Sequence, residues 1–112
     1  MSRLVTDDMM EEALNYLATS SDIIASARAK RLRAEFKRKR VRAKLILESN
    51  QPSATAREAW AEAHALYHEA CEEEVAAVEA DEYARSERNK ADTIIETYRT
   101  EEATRRAGQN FR

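Results

Sequence analysis

Alanine recurs every seven residues through one uninterrupted stretch of this chain, at Ala56, Ala63, Ala70, Ala77, Ala84 and Ala91. A heptad interval returns side chains to one face of an α-helix turn after turn, so the repeat marks a seam that faces a partner over many turns. Small residues there let two backbones approach more closely than leucine would permit. The first half carries a second series at the same interval: Ala13, Ser20, Ala27, Ala34 and then Val41. Two such seams in one chain predict two long helices lying against each other.

Helix breakers are scarce, with one glycine and one proline in 112 residues. Asn50-Gln51-Pro52-Ser53 is the strong turn signal, because proline denies the preceding residue an easy α conformation. Thr6-Asp7-Asp8 places a capping side chain and two carboxylates at a helix start, where free N–H groups and the positive dipole end favour them. Thr19-Ser20-Ser21-Asp22 groups four short polar residues that compete with the backbone for hydrogen bonds, and predicts a kink or brief break. Beyond the turn, Thr55-Ala56-Arg57-Glu58 reads as a capping box. No breaker occurs from there until Gly108, which suits the position just past a helix end; the second helix is expected to run for about 50 residues, roughly 75 to 80 Å.

The expected fold is therefore all-α: a long antiparallel helical hairpin, an Ala-rich coiled coil with an N-terminal helix or kinked extension. It forms a single domain, with arm one over about 7–49, a turn at 50–54 and arm two over about 55–107. Folding the chain back at Pro52 brings the two seams into one register. Val41 then meets Ala63, Ala34 meets Ala70, Ala27 meets Ala77, Ser20 meets Ala84 and Ala13 meets Ala91. The alternate layer sets Leu45 against Ala59, Arg38 against Leu66, Arg31 against Glu73, Ile24 against Ala80, Leu17 against Glu87 and Met10 against Ile94.

Only 6% of residues are aromatic, so the core must be thin or completed by an oligomer. Larger apolar residues gather near the turn (Leu45, Ile46, Leu47, Trp60, Leu66, Tyr67) and near the open end (Met9, Met10, Leu14, Leu17, Ile94, Ile95, Tyr98). At about 1.5 to 3 kcal/mol for each full burial, these clusters clamp the hairpin at both ends. A further apolar face on arm one, running through Ala25, Ala29 and Ala43, is left without a use inside the hairpin. Its large members Leu32, Phe36 and Leu47 are the candidate homo-oligomer interface.

Lys30 to Lys44 holds nine basic residues against the single acid Glu35. One reading is a helix that tracks nucleic-acid phosphates through Lys37, Arg38, Lys39, Arg40, Arg42 and Lys44. The other lays the basic arm against the acidic stretch Glu58 to Glu82. Residues 1–50 contain eleven Lys/Arg and seven Asp/Glu, net +4, while 51–112 contain eight and fourteen, net −6. Charge thus favours antiparallel pairing of the arms, and the register directs Arg31 and Arg38 toward the seam.

Nothing here predicts an enzyme. One glycine allows no phosphate-binding loop, no nucleophile–histidine–acid order stands out, and the many carboxylates lie on solvated faces without a pocket. His64 and His68 lie one turn apart in the expected helix, with Cys71 and Glu72 a turn further. The zinc-protease Glu after the first histidine is replaced by Ala65, and these side chains are expected to be solvated, with no metal and no cofactor. Cys71, the sole cysteine, is expected as a small buried thiol. No run of 18 apolar residues and no basic-then-apolar leader occur, so no membrane partner is expected.

The stretch from Ser53 to Ala107, opening with SATAREAWAEA and closing with IIETYRTEEATRRA, resembles small helical proteins of tailed bacteriophages. Their pattern is a Ser-x-x-x-Arg-Glu-Ala start and an (I/V)-I-E-x-(W/Y)-R-x-E-x-x-x-R-R ending. Ile94, Ile95, Glu96, Tyr98, Arg99, Glu101, Arg105 and Arg106 match the ending. The similarity covers about half of the chain. It implies an early-region accessory protein that acts in the host cytoplasm, with protein partners in phage DNA recombination or replication. Direct nucleic-acid binding by the basic arm and inhibition of a host protein are the alternatives.

Overall fold

The computed structural model describes residues 3–110. Among them are four α-helices and no strand: α1 (Asp7–Thr19), α2 (Ser21–Glu48), α3 (Ala54–Ala63) and α4 (Ala65–Asn110). The fold is all-α and is built of antiparallel helical pairing, as the two alanine seams require. No described helix is long and apolar enough to cross a membrane.

The helix ends obey local chemistry. Thr6 is the N-cap of α1, its hydroxyl accepting from the Met9 N–H at 3.2 Å, with Asp7 and Asp8 in the first turn. The break expected among Thr19 to Asp22 falls at Ser20, and Thr19 donates its hydroxyl to the Asn15 carbonyl at 2.8 Å. In the turn, Ser49 accepts from the Gln51 N–H at 3.2 Å while Arg57 donates to the Gln51 carbonyl at 2.9 Å.

Three expectations for arm two are corrected. The cap after Pro52 is Ser53, whose hydroxyl accepts from the Ala56 N–H at 3.1 Å, so the helix starts two residues before Thr55 could cap it. The helix then breaks at His64, in an extended conformation with ψ 142°. His64 also caps the start of α4: its Nδ1 accepts from the Leu66 N–H at 3.1 Å, and its carbonyl accepts from Tyr67 at 3.1 Å and from His68 at 3.2 Å. Lastly, Gly108 does not end α4, which continues to Asn110.

The chain divides into two compact units, a terminal one (Met1–Ile24 with Tyr83–Arg112) and a turn unit (Ala25–Glu82). In the terminal unit the core is Ala13, Ala91 and Ile95, with Met10, Tyr16, Leu17 and Ile94 packed around it. The pairing there is the expected one, Ala13 with Ala91. A clasp closes this unit ahead of α1. The Glu101 carboxylate accepts from the Leu4 and Val5 N–H groups at 3.1 and 3.0 Å, and Val5 is buried. Arg3 pairs with Glu102 and lies 5.2 Å from the Tyr98 ring centroid, while the Tyr98 hydroxyl donates to Asp7 at 3.0 Å.

In the turn unit α2 presents the expected layers to the seam, with Ala27, Arg31, Ala34, Arg38 and Val41 half-buried and Leu45 buried. Its register against arm two differs from expectation. Arg38 reaches Glu74 as well as Tyr67, which adjoins the expected Leu66, and Arg31 faces Asp81 in place of Glu73. Ala34 shares a groove with Ala77 in place of Ala70, and Val41 shares another with Ala70 in place of Ala63. The α4 partner has moved on by one heptad, or one residue more. Arg42 still holds Glu62 of α3 at 3.0 Å, as the expected pairing has it, so the displaced pairs all involve residues of α4.

Candidate interaction surface on the basic helix

The two faces of α2 treat its cations differently. On the side turned to arm two, Arg31 donates to the buried Asp81 at 3.0 Å and to Glu82 at 3.1 Å. Arg38 donates to Glu74, Lys37 pairs with Glu73 at 2.8 Å, and Arg42 with Glu62. The hydrogen bond to Asp81, and next that to Glu82, holds the Arg31 guanidinium above the ordinary arginine range. Glu74 does the same for Arg38. A raised cation contributes its full stabilisation below its unfolded value and loses it only as pH rises past the folded one, so these two pairs persist until strong alkali. Both arginines are committed to holding the arms together.

Of the six candidate nucleic-acid contacts, Lys37, Arg38 and Arg42 are therefore bound to arm two, and Lys39 pairs along α2 with Glu35 at 3.1 Å. Arg40 and Lys44 are exposed and have no carboxylate partner among the described residues. Lys30 and Arg33 share that state and were not singled out by the sequence. The signal for Arg33 lay in its spacing: with Arg40 it brackets Phe36 at i−3 and i+4, which on a helix makes one surface.

That surface is amphipathic. Leu32, Phe36 and Leu47, the candidate oligomer residues, are 46%, 59% and 85% exposed. The groove that Ala34 shares with Ala77 extends to Phe36, with Lys30, Arg33 and Arg40 along it and Glu73 on its arm-two side. The result is an apolar stripe edged by cations that the hairpin does not consume, suited to a ligand that is itself apolar and anionic.

The histidines do not form the geometry expected of one helix face. His64 lies at the break between α3 and α4 with its Nδ1 occupied by the Leu66 N–H, and its ring stands 5.3 Å from that of Trp60. Among the described residues no group of three or more His, Cys, Asp or Glu is placed to hold a metal ion. Cys71 is half-buried. In the closing pattern of α4, Ile95 belongs to the core, Tyr98 and Glu101 to the clasp, and Arg105 pairs with Glu102 at 2.8 Å. Comparison with protein-family models, with curated proteins and with solved structures finds no match.

Proposed function

We propose that this chain is a non-enzymatic helical interaction protein, phage-encoded and working in the host cytoplasm, that engages proteins of DNA recombination or replication. The observation that carries the interaction role is the outward face of α2, where Phe36 and Leu32 lie exposed beside cations without carboxylate partners among the described residues. The seam faces are consumed by pairing the arms, and this stripe is a surface they leave free for a partner. The link to DNA metabolism rests on the resemblance of Ser53 to Ala107 to early-region phage proteins.

A photo-crosslinking residue at position 36, in bacteria infected with a phage that encodes the protein, tests this reading. Identification of recombination or replication proteins among the adducts supports it, and adducts confined to unrelated host proteins favour the inhibitor alternative. Direct nucleic-acid contact is the second reading, supported by the lack of carboxylate partners at Lys30, Arg33, Arg40 and Lys44.

A further inference from the structure

The outward face of α2 cannot pair comfortably with itself. A two-fold contact through Phe36 would set the Arg33 and Arg40 rows of two copies against each other, and like charges brought together oppose association. The stripe needs a complement that sets an acidic row beside apolar residues. This chain carries one on the outward side of α4. Val75 is 51% exposed there and Ala76 is exposed. Glu72 and Glu79 flank them, exposed and without a cationic partner among the described residues.

The two surfaces match in spacing as well as in sign. Arg33 and Arg40 are one heptad apart with Phe36 between them; Glu72 and Glu79 are one heptad apart with Val75 and Ala76 between them. Residues seven apart return to the same helix face, so both charges of one row meet both charges of the other whichever way the helices run. Val75 and Ala76 stand on opposite sides of the Glu72–Glu79 row, and Phe36 stands to one side of the Arg33–Arg40 row, so the ring meets Val75 if the two helices run antiparallel and Ala76 if they run parallel.

We propose that the outward face of α2 in one copy docks on the outward face of α4 in a second copy, with Arg33 and Arg40 opposite Glu72 and Glu79 and with Phe36 against the apolar residue, Val75 or Ala76, on its side of that row. Such a contact is heterologous, since each copy offers one surface and receives on the other. It therefore builds a ring or an open stack rather than a closed two-fold dimer. The inference rests on the reading of the α2 stripe as a binding surface and names a second copy as its occupant.

Sedimentation of the whole chain over a range of concentrations tests it, with helicity followed by circular dichroism. At low salt the wild type should pass through and beyond the mass of two 12.8 kDa chains, and raising salt to about 0.5 M should lower that mass, since exposed charge pairs are screened there. Arg33→Glu with Arg40→Glu should remain monomeric and helical, and so should Glu72→Arg with Glu79→Arg. An equimolar mixture of the two variants should recover assembly, which misfolding of either would not allow. A wild type that stays monomeric, a dimer unaffected by Glu72→Arg with Glu79→Arg, or a mixture that fails to assemble would each overturn the proposal. A monomeric wild type that still crosslinks a DNA-metabolism protein through position 36 would sink only the self-association and leave the proposed function standing.

Discussion

Asp81 is 1% exposed, the most enclosed ionised group described, while its neighbour Glu82 meets the same arginine from solvent. The contrast separates two kinds of ion pair on one guanidinium. Asp81→Ala removes a charge-assisted hydrogen bond inside the seam and should cost about 2 kcal/mol in urea unfolding. Glu82→Ala should cost under about 0.5 kcal/mol, because an exposed pair gains little over hydration. Equal losses would mean that the seam is wet at Arg31. Ser20 presents the opposite problem: its hydroxyl is buried and makes no hydrogen bond among the described residues. Ser20→Ala should therefore be neutral or slightly stabilising, whereas losing a satisfied buried hydroxyl normally destabilises. Gly108 lies inside α4 with open space where a Cβ would sit, and Gly108→Ala should raise stability by up to about 1 kcal/mol, measured as a later melting transition.

Among the elements, α2 and α4 show how far periodicity reaches. The small residues of α2 that face the seam were legible in the sequence, because a heptad series admits one face only. The partner of each was not. A coiled coil displaced by seven residues keeps Ala opposite Ala, so the alanines are blind to that displacement. The charged layer distinguishes the two registers. The expected one leaves Arg38 against Leu66, and the observed one gives it Glu74, with Asp81 for Arg31. Cysteines replacing Ala34 and Ala77 should crosslink within one chain under mild oxidation in a Cys71→Ser background. A pair at positions 34 and 70 should not, since one heptad is about 10 Å along a helix. The reverse result would restore the register read from Pro52. The His64 break has no sequence signal, because histidine between two alanines is ordinary helix composition. Its cap is recognisable only from the Nδ1 contact to Leu66.

At the scale of the whole molecule, net charge sets the expectation for nucleic acid. The chain carries −2 overall, and four of the six candidate phosphate contacts are already held by carboxylates, so DNA binding should be weak in a monomer. What remains is Lys30, Arg33, Arg40 and Lys44, and replacing all four with Ala should abolish any binding with little change in melting temperature. Any binding by the wild type should weaken with salt at a slope of roughly one or slightly less per phosphate contacted. If Lys37, Arg38 and Arg42 to Ala weakens it more than the fourfold replacement does while the fold holds, the cations of the seam would be the contacts after all.

The sequence by itself determined that the chain is helical, which faces pair, where α1 starts and where arm one stops, because capping, proline and a seven-residue period act locally. It also determined that basic and acidic arms would meet. Tertiary structure alone decided which heptad of arm two each residue of α2 meets, which cations remain free, and that Glu101 would hold Leu4 and Val5 from 96 or 97 residues away. Those choices depend on which register gives buried guanidiniums their carboxylates. That is a property of two helices already in contact, and no single stretch of sequence contains it.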